Sequence, residues 1–279
     1  MANTSANVGG GKMSESDDSH KLVKIPDDLL IKEFDNPIKA IVQSTYPNLH
    51  EQYQSQEYMK CRTILTSTVE SVDKINDYIL SSTPGEAKEY LSADSAEKLG
   101  GPEGDALAAL TPPEFLNTLS LPDFPKHKLK LKVGTPVMLL MDMDPFQGLC
   151  IGARLIITRL GNFVLGAKML SGGNAGEEIP IPRITMSPSP SPPWPFKLKR
   201  RQYPIAVCYA TTIDKSQGQS FANVGLYLPR PVSRHGELYM ALSRVESKQG
   251  LKILILDEEG KASDTTTNIV YQEIFRNLK

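Results

Sequence analysis

Three cysteines stand in 279 residues, at 61, 150 and 208, odd in number and in no CxxC pair. That spacing excludes a disulfide framework and a thiolate zinc site, and implies a reduced, intracellular setting. Four histidines, none at metal-ligand spacing, leave no metal site to be expected. The formal net charge is −1, so no global field draws the chain onto nucleic acid, and any such contact must come from local basic patches. No apolar run reaches membrane-spanning length, and the polar stretch Met1–Ser19 lacks the hydrophobic region of a secretory signal, so no membrane partner is expected. A phosphate-binding loop is missing as well. At Val8–Met13 the first glycine of GxxxxGK[ST] would fall on Ala6, and Met13 stands where Ser or Thr must hold magnesium. Asp257-Glu258-Glu259 follows a strand but comes after the other polar motifs, and reads as solvated acids.

What is present is concentrated between Tyr203 and Val245. Ile205, Val207 and Tyr209 alternate with smaller residues and predict a strand. Thr211 or Thr212 then serves as a helix N-cap, with Asp214 at capping-box spacing from Thr211, and Gly218 ends the short helix. Asn223–Leu228 and Leu251–Leu256 read as strands and Gly236–Ser243 as a short helix. TTIDKSQGQS (211–220) and ALSRV (241–245) both deliver polar residues after an apolar strand, where open parallel sheets bind ligands. Lys215, Ser216, Gln217 and Gln219 add donors beside a helix start, which suits phosphate. An ordinary capped turn with solvated polar residues is the competing reading. Arg244 also has two readings. A cation at a helix C-terminus is favourable by roughly 0.3–1 kcal/mol without further purpose. A planar guanidinium of fixed charge also suits the γ-phosphate of a nucleotide.

Residues 1–23 are poor in apolar side chains and read as disordered or frayed. Ile25–Tyr46 holds one or two helices. Ile64-Leu65 form a short strand, Thr66–Thr68 a cap, and Val69, Val72, Ile75 and Ile79 one helix face. Ser81–Leu121 is loop-rich, with a short helix at Thr111–Leu119. Lys128, Lys130 and Lys132 alternate with apolar residues. On a strand they would form a row about 6–7 Å apart, either a phosphate track or a solvated face. Val133 to about Val207 reads as a small antiparallel barrel, with strands at Val137–Met143, Arg154–Leu160, Phe163–Leu170 and an edge strand at Ile179–Ile184. Gly161-Asn162 is its two-residue hairpin turn. A proline-rich connector (Ser187–Phe196) leads into Lys197, Lys199, Arg200 and Arg201 beside Trp194 and Phe196, an interleaving that suits single-stranded nucleic acid.

Three stretches carry a resemblance. TTIDKSQGQS with YMALSRV resembles the last two motifs of the Pif-type (petite integration frequency) 5′-to-3′ DNA helicases, in particular the plant and Helitron-associated branch. Arg62–Leu80 is similar to the family's RxILTPTNExVDxINxYxL, with Ser67 and Val69 in place of proline and asparagine. Gly134–Arg154 resembles its GxPVMLLxNxDxxxGLCNGTR, keeping Gly134, Pro136–Leu140, Asp144, Gly148–Cys150, Gly152 and Arg154. Asp214 stands where the family has His or Asn.

The resemblance implies an α/β fold: the second RecA-like motor domain of a superfamily-one helicase with an inserted SH3-like barrel. On that reading 24–59 is the helical end of the first motor domain. Residues 60–132 and 204–279 form the second motor domain, and 133–203 the barrel. Arg244 would be the catalytic γ-phosphate finger. Lys215, Ser216, Gln217, Gly218, Gln219 and Arg62 would contact nucleotide or DNA. Lys128, Lys130, Lys132, Trp194, Lys199, Arg200 and Arg201 would bind single-stranded DNA. ATP and Mg2+ are the implied cofactors, with most ligands expected on a first motor domain that these residues do not supply. The chain taken alone is therefore expected to be inactive, either as part of a helicase or as a non-catalytic strand-binding remnant. Family resemblance further implies a nuclear location and work in repair, recombination and telomere maintenance.

Overall fold

The computed structural model describes residues 20–98, 111–173, 175–194 and 196–270. The rejected loop at 8–13 and most of the expected frayed terminus lie outside these residues. In chain order the elements begin with β1 (His20–Lys24), α1 (Pro37–Thr45), α2 (Leu49–Gln52), α3 (Gln56–Lys60), β2 (Arg62–Thr66) and α4 (Val69–Ser82). There follow β3 (Lys88–Leu91), β4 (Ala93–Lys98), α5 (Pro113–Thr118), β5 (Lys128–Leu131), β6 (Pro136–Leu139), β7 (Arg154–Leu160), β8 (Val164–Met169) and β9 (Glu178–Pro182). The last are β10 (Ile184–Met186), β11 (Phe196–Gln202), β12 (Ile205–Val207), β13 (Ala210–Thr212), β14 (Asn223–Leu228), α6 (Glu237–Leu242), β15 (Leu251–Leu256), β16 (Ala262–Ser263) and β17 (Thr265–Ile269). Among the described residues two compact units result, one within 1–53, 57–83 and 209–279, the other within 54–56 and 84–208.

The first unit is built on a sheet of order β13-β2-β14-β15-β16, parallel except for its β16 edge. Leu65, Val224, Leu226, Ile253 and Ile255 point to one face, where they bury Ile213, Phe221, Leu238 and Leu242. On the other face α1 packs against β14, β15 and β2. Its approach is close at Gly225, where an added Cβ would meet Thr45 Oγ1 at 2.1 Å. Helix α1 starts where Asn36 Oδ1 accepts from Lys39 N–H at 2.9 Å, and α4 where Thr68 Oγ1 accepts from Ser71 N–H at 3.3 Å. The α4 face departs from its apolar periodicity. Val69 is exposed, while Ser71 and Asn76 are buried with Ile75 and Ile79. The Asn76 amide accounts for its own burial: it donates to Ala210 O at 3.2 Å and accepts from Ala210 N–H at 2.8 Å, tying α4 to β13.

Two expectations change here. His20–Lys24 is not frayed but forms β1, paired antiparallel with β17. Helix α1, from the 24–59 segment, packs on the sheet of this unit. The single strand expected over Ile205–Tyr209 stops at Val207, where β12 pairs with β6; β13, which pairs with β2, starts only at Ala210, and the unit boundary falls between Cys208 and Tyr209.

The second unit takes in β3, β4, α5 and β5 ahead of residue 133. Its main sheet has the order β12-β6-β7-β8-β9, antiparallel throughout, with β9 at one edge. The ribbon β3-β5 packs Tyr90, Leu129 and Leu131 into the same core as Val137, Leu155, Leu165 and Ile181. A third sheet, β10-β11-β4, covers Leu116 of α5 with Phe196 and Leu198. The β7–β8 connection is longer than a two-residue turn, since the last paired residues are Leu160 and Leu165. Gly161 is required there because a Cβ would lie 2.1 Å from Val164 O.

Candidate nucleotide and nucleic-acid sites

In the first unit the two polar motifs meet. Thr211 and Thr212 belong to β13, so neither caps a helix; Asp214–Ser216 is a single 3-10 turn whose N-cap is Ile213, without a side-chain cap. The capping-box expectation fails because the strand runs on through both threonines. Gly218 then takes φ +80°, the left-handed turn expected of it. From there the chain descends to the opposite end of the sheet. Phe221, just before β14, bridges Val245: its N–H donates to Arg244 O at 2.9 Å, and Glu246 N–H donates to Phe221 O at 3.0 Å. Arg244 therefore lies at the N-terminal end of the parallel strands, not at the C-terminal end where such sheets usually bind ligands. Arg62 opens β2 opposite Asn223, the first residue of β14, at that same end.

The guanidinium of Arg244 is the clasp between the motifs. Nε donates to Met240 O at 3.1 Å, Nη1 to Gln219 O at 3.1 Å and to Ser216 O at 3.5 Å, and Nη2 to Ser243 Oγ at 2.8 Å. The side chain is half-buried. Its fork thus holds the 216–219 carbonyls and the last turn of α6 in one geometry. Around it Ser216 is buried, its hydroxyl donating to Ile213 O at 2.6 Å, while Lys215 and Gln219 are half-buried and Gln217 and Gly218 are exposed. Asp214 points outward and pairs with Arg234 at 2.7 Å, so its charge is compensated away from the clasp. Arg62 stacks over Tyr58, 4.2 Å from the ring centroid, and donates to Tyr58 O at 3.3 Å. Burial pushes the Tyr58 hydroxyl up to about 12, against the pull of Arg62. Glu237 has no periodicity signal, yet its buried carboxylate accepts from the N–H groups of Ser233 and Arg234, both at 3.1 Å, and sets the entry to α6.

In the second unit the basic residues separate. Lys128 and Lys130 share an exposed face of β5, with Lys128 paired to Glu89 at 2.8 Å. Lys132 lies past the end of β5 and is buried, so the three-lysine row is a two-lysine row. Arg200 is the larger correction. Its guanidinium has no exposure, and it embraces an equally buried Asp94 through Nε at 3.0 and 3.1 Å and Nη2 at 2.7 Å. The remaining hydrogens reach the carbonyls of Leu116, Leu119 and Pro125 at 2.9–3.1 Å. It is a structural bolt with nothing left for a phosphate. Strand alternation places Arg201 on the opposite, exposed face, and Lys199 there too, paired with Glu97 at 2.7 Å. Trp194 stacks on Phe196 at 5.5 Å and packs on the cluster under β11, which commits one ring face to the protein.

Among the described residues no group of three or more His, Cys, Asp or Glu could hold a metal ion.

The family description "DNA helicase Pif1, 2B domain" matches residues 114–160, inside the second unit. An ATP-dependent DNA helicase PIF1 of Danio rerio is 27% identical over 223 residues, covering 76% of this chain and 30% of the fish protein. The Homo sapiens protein of that name is 33% identical over 148 residues, 52% of this chain and 22% of its own. This chain is a relative of the Pif1 helicases. It spans a third or less of these curated Pif1 relatives. A crystal structure of Bacteroides Pif1 bound to ssDNA superposes with TM-score 0.57 at 21% identity, over 94% of this chain and 50% of that one. Pif1 from Candida albicans gives 0.53 at 18%, over 87% and 57%. The Pif1 likeness makes the fold a RecA-like α/β fold, to which the parallel sheet of the first unit corresponds. No helix among the described residues is long and apolar enough to cross a membrane.

Proposed function

We propose that the chain is the C-terminal motor portion of a Pif1-type ATP-dependent helicase that moves 5′ to 3′ on single-stranded DNA. The observation carrying this reading is the Arg244 clasp, which joins the two motifs that resemble the family's last two. In it a guanidinium is pre-oriented, so that a γ-phosphate held by another domain would meet a rigid fork rather than a mobile side chain. Lys215, Gln217 and Gly218 line the approach, and Arg62 steadies the same end of the sheet through Tyr58. The second unit serves as an SH3-like barrel domain presenting basic groups to the strand. A Bacteroides Pif1 structure with TM-score 0.52 is a complex with ADP-AlF3 and ssDNA, which supports ATP and single-stranded DNA as ligands here. Magnesium, which the resemblance implies beside ATP, belongs to the same reading. A nuclear location and work in repair, recombination and telomere maintenance belong to the same reading.

One observation favours a second reading, a strand-binding protein without turnover: GxxxxGK[ST] occurs nowhere in the 279 residues. DNA-stimulated phosphate release, measured for the chain alone and fused to a first motor domain, separates the two. The helicase reading requires background release alone and stimulated release in the fusion. Background release in both supports binding without hydrolysis.

A further inference from the structure

The register around β11 defines a surface that sequence alternation alone does not reveal. Lys197 pairs with Glu97, Lys199 with Ser95, and Arg201 with both Ala93 of β4 and Thr185 of β10. Cross-strand partners project to the same side of a sheet. The other side carries Phe196, Leu198, Arg200 and Gln202, all buried. The outer side therefore bears Lys197, Lys199 and Arg201 in a row about 6–7 Å apart. It is flanked by Ala93, Ser95 and Thr185, all three short and exposed. Three long cations stand over a floor without bulky side chains. The only acid on the paired positions is Glu97, whose carboxyl is held below the usual range by the hydrogen bond from Lys199.

We infer that this face of the β10-β11-β4 sheet is a track for the phosphate backbone of single-stranded nucleic acid, an assignment that rests on the strand-binding reading above. The row repeats at an interval comparable with the phosphates of an extended strand. Ser95 and Thr185 add hydroxyl donors beside it, as backbone contacts commonly use. Among the described residues no aromatic ring lies on the face, so bases are left facing solvent and binding is sequence-independent. A protein partner would need a buried apolar or aromatic centre, which the described residues of the face lack. Glu97 acts as a brake, competing with phosphate for Lys199.

The test is fluorescence anisotropy of the full chain with labelled oligothymidine across several salt concentrations. Each phosphate contact adds about −0.7 to the slope of log affinity against log salt. The triple variant Lys197→Gln, Lys199→Gln, Arg201→Gln is expected to flatten the slope by up to about 2, with the melting temperature unchanged. Glu97→Gln is expected to do the opposite, tightening binding and steepening the slope by up to about 0.7. That gain is independent of whether the triple variant folds. An unchanged slope in the triple variant, or no gain in Glu97→Gln, overturns the track while leaving strand binding elsewhere intact. Equal competition by polyglutamate would also overturn it in favour of acidic peptides. Absence of oligothymidine binding by the unaltered chain overturns both the track and the reading beneath it.

Discussion

Replacing Arg200 by methionine removes a fully buried charge from the second unit and leaves its equally buried partner behind. Asp94 has no exposure, and would retain only Ser92 Oγ at 2.5 Å and His127 Nδ1 at 3.8 Å. The carbonyls of Leu116, Leu119 and Pro125 would lose the guanidinium as donor as well, Leu116 O keeping its bond from Leu119 N–H, which loosens α5 and the segment after it from β11. Breaking a buried pair from one side costs about 3–5 kcal/mol. Lost bonds to the carbonyls act in the same direction, and water entering the gap offsets part of them, so we expect about 4 kcal/mol. Domains are stable by roughly 5–15 kcal/mol, so the variant should sit near the edge of folding. Changing both partners, Arg200→Met with Asp94→Leu, should restore part of the loss because no uncompensated charge remains. Trp194, the only tryptophan, is packed on Phe196 beside this bolt and reports on it. Urea unfolding followed by its fluorescence gives the comparison. A single variant within about 1 kcal/mol of the unaltered chain, or a double variant no better than the single, would refute the bolt.

Gly225→Ala should destabilise the first unit by about 1–3 kcal/mol in thermal unfolding, since the new Cβ meets Thr45 Oγ1 at 2.1 Å and Ile41 Cδ1 at 3.1 Å. An unchanged melting temperature would mean that α1 is not seated as described. Tyr58 and Tyr90 both have hydroxyls pushed up to about 12 by burial, above the ordinary 10. A raised folded value keeps stability intact below pH 10 and removes it as pH rises from 10 to 12, because the unfolded chain ionises first. Ultraviolet titration should find these two phenolates only as the chain unfolds; their appearance near pH 10 in folded protein would contradict the burial.

Strand and helix positions with strong periodicity were legible: Asn223–Leu228 and Leu251–Leu256 match β14 and β15 residue for residue. What failed was pairing. Ile205–Tyr209 alternates like one strand, but partner choice, which no local pattern encodes, assigns its parts to different units. Lys132 illustrates the same limit. Alternation puts it in a row, while the strand ends one residue earlier and Thr135 Oγ1 takes its backbone N–H at 3.0 Å. Arg200 misled for another reason: a cluster of four cations hides the one that faces inward until strand phase is known. The Arg244 motif was visible in sequence, but its place at the N-terminal strand ends depends on the Phe221–Val245 bridge.

The central claim, that Arg244 is the chain's contribution to nucleotide turnover, is tested most directly by phosphate release from the chain fused to a first motor domain. Release is measured with and without single-stranded DNA, for Arg244 and for Arg244→Lys. Lysine keeps the charge but not the fork that reaches Met240, Gln219 and Ser243 together. The account predicts that DNA-stimulated release falls to background in Arg244→Lys while circular dichroism and oligothymidine affinity stay unchanged. Equal stimulated release by the lysine variant would contradict it.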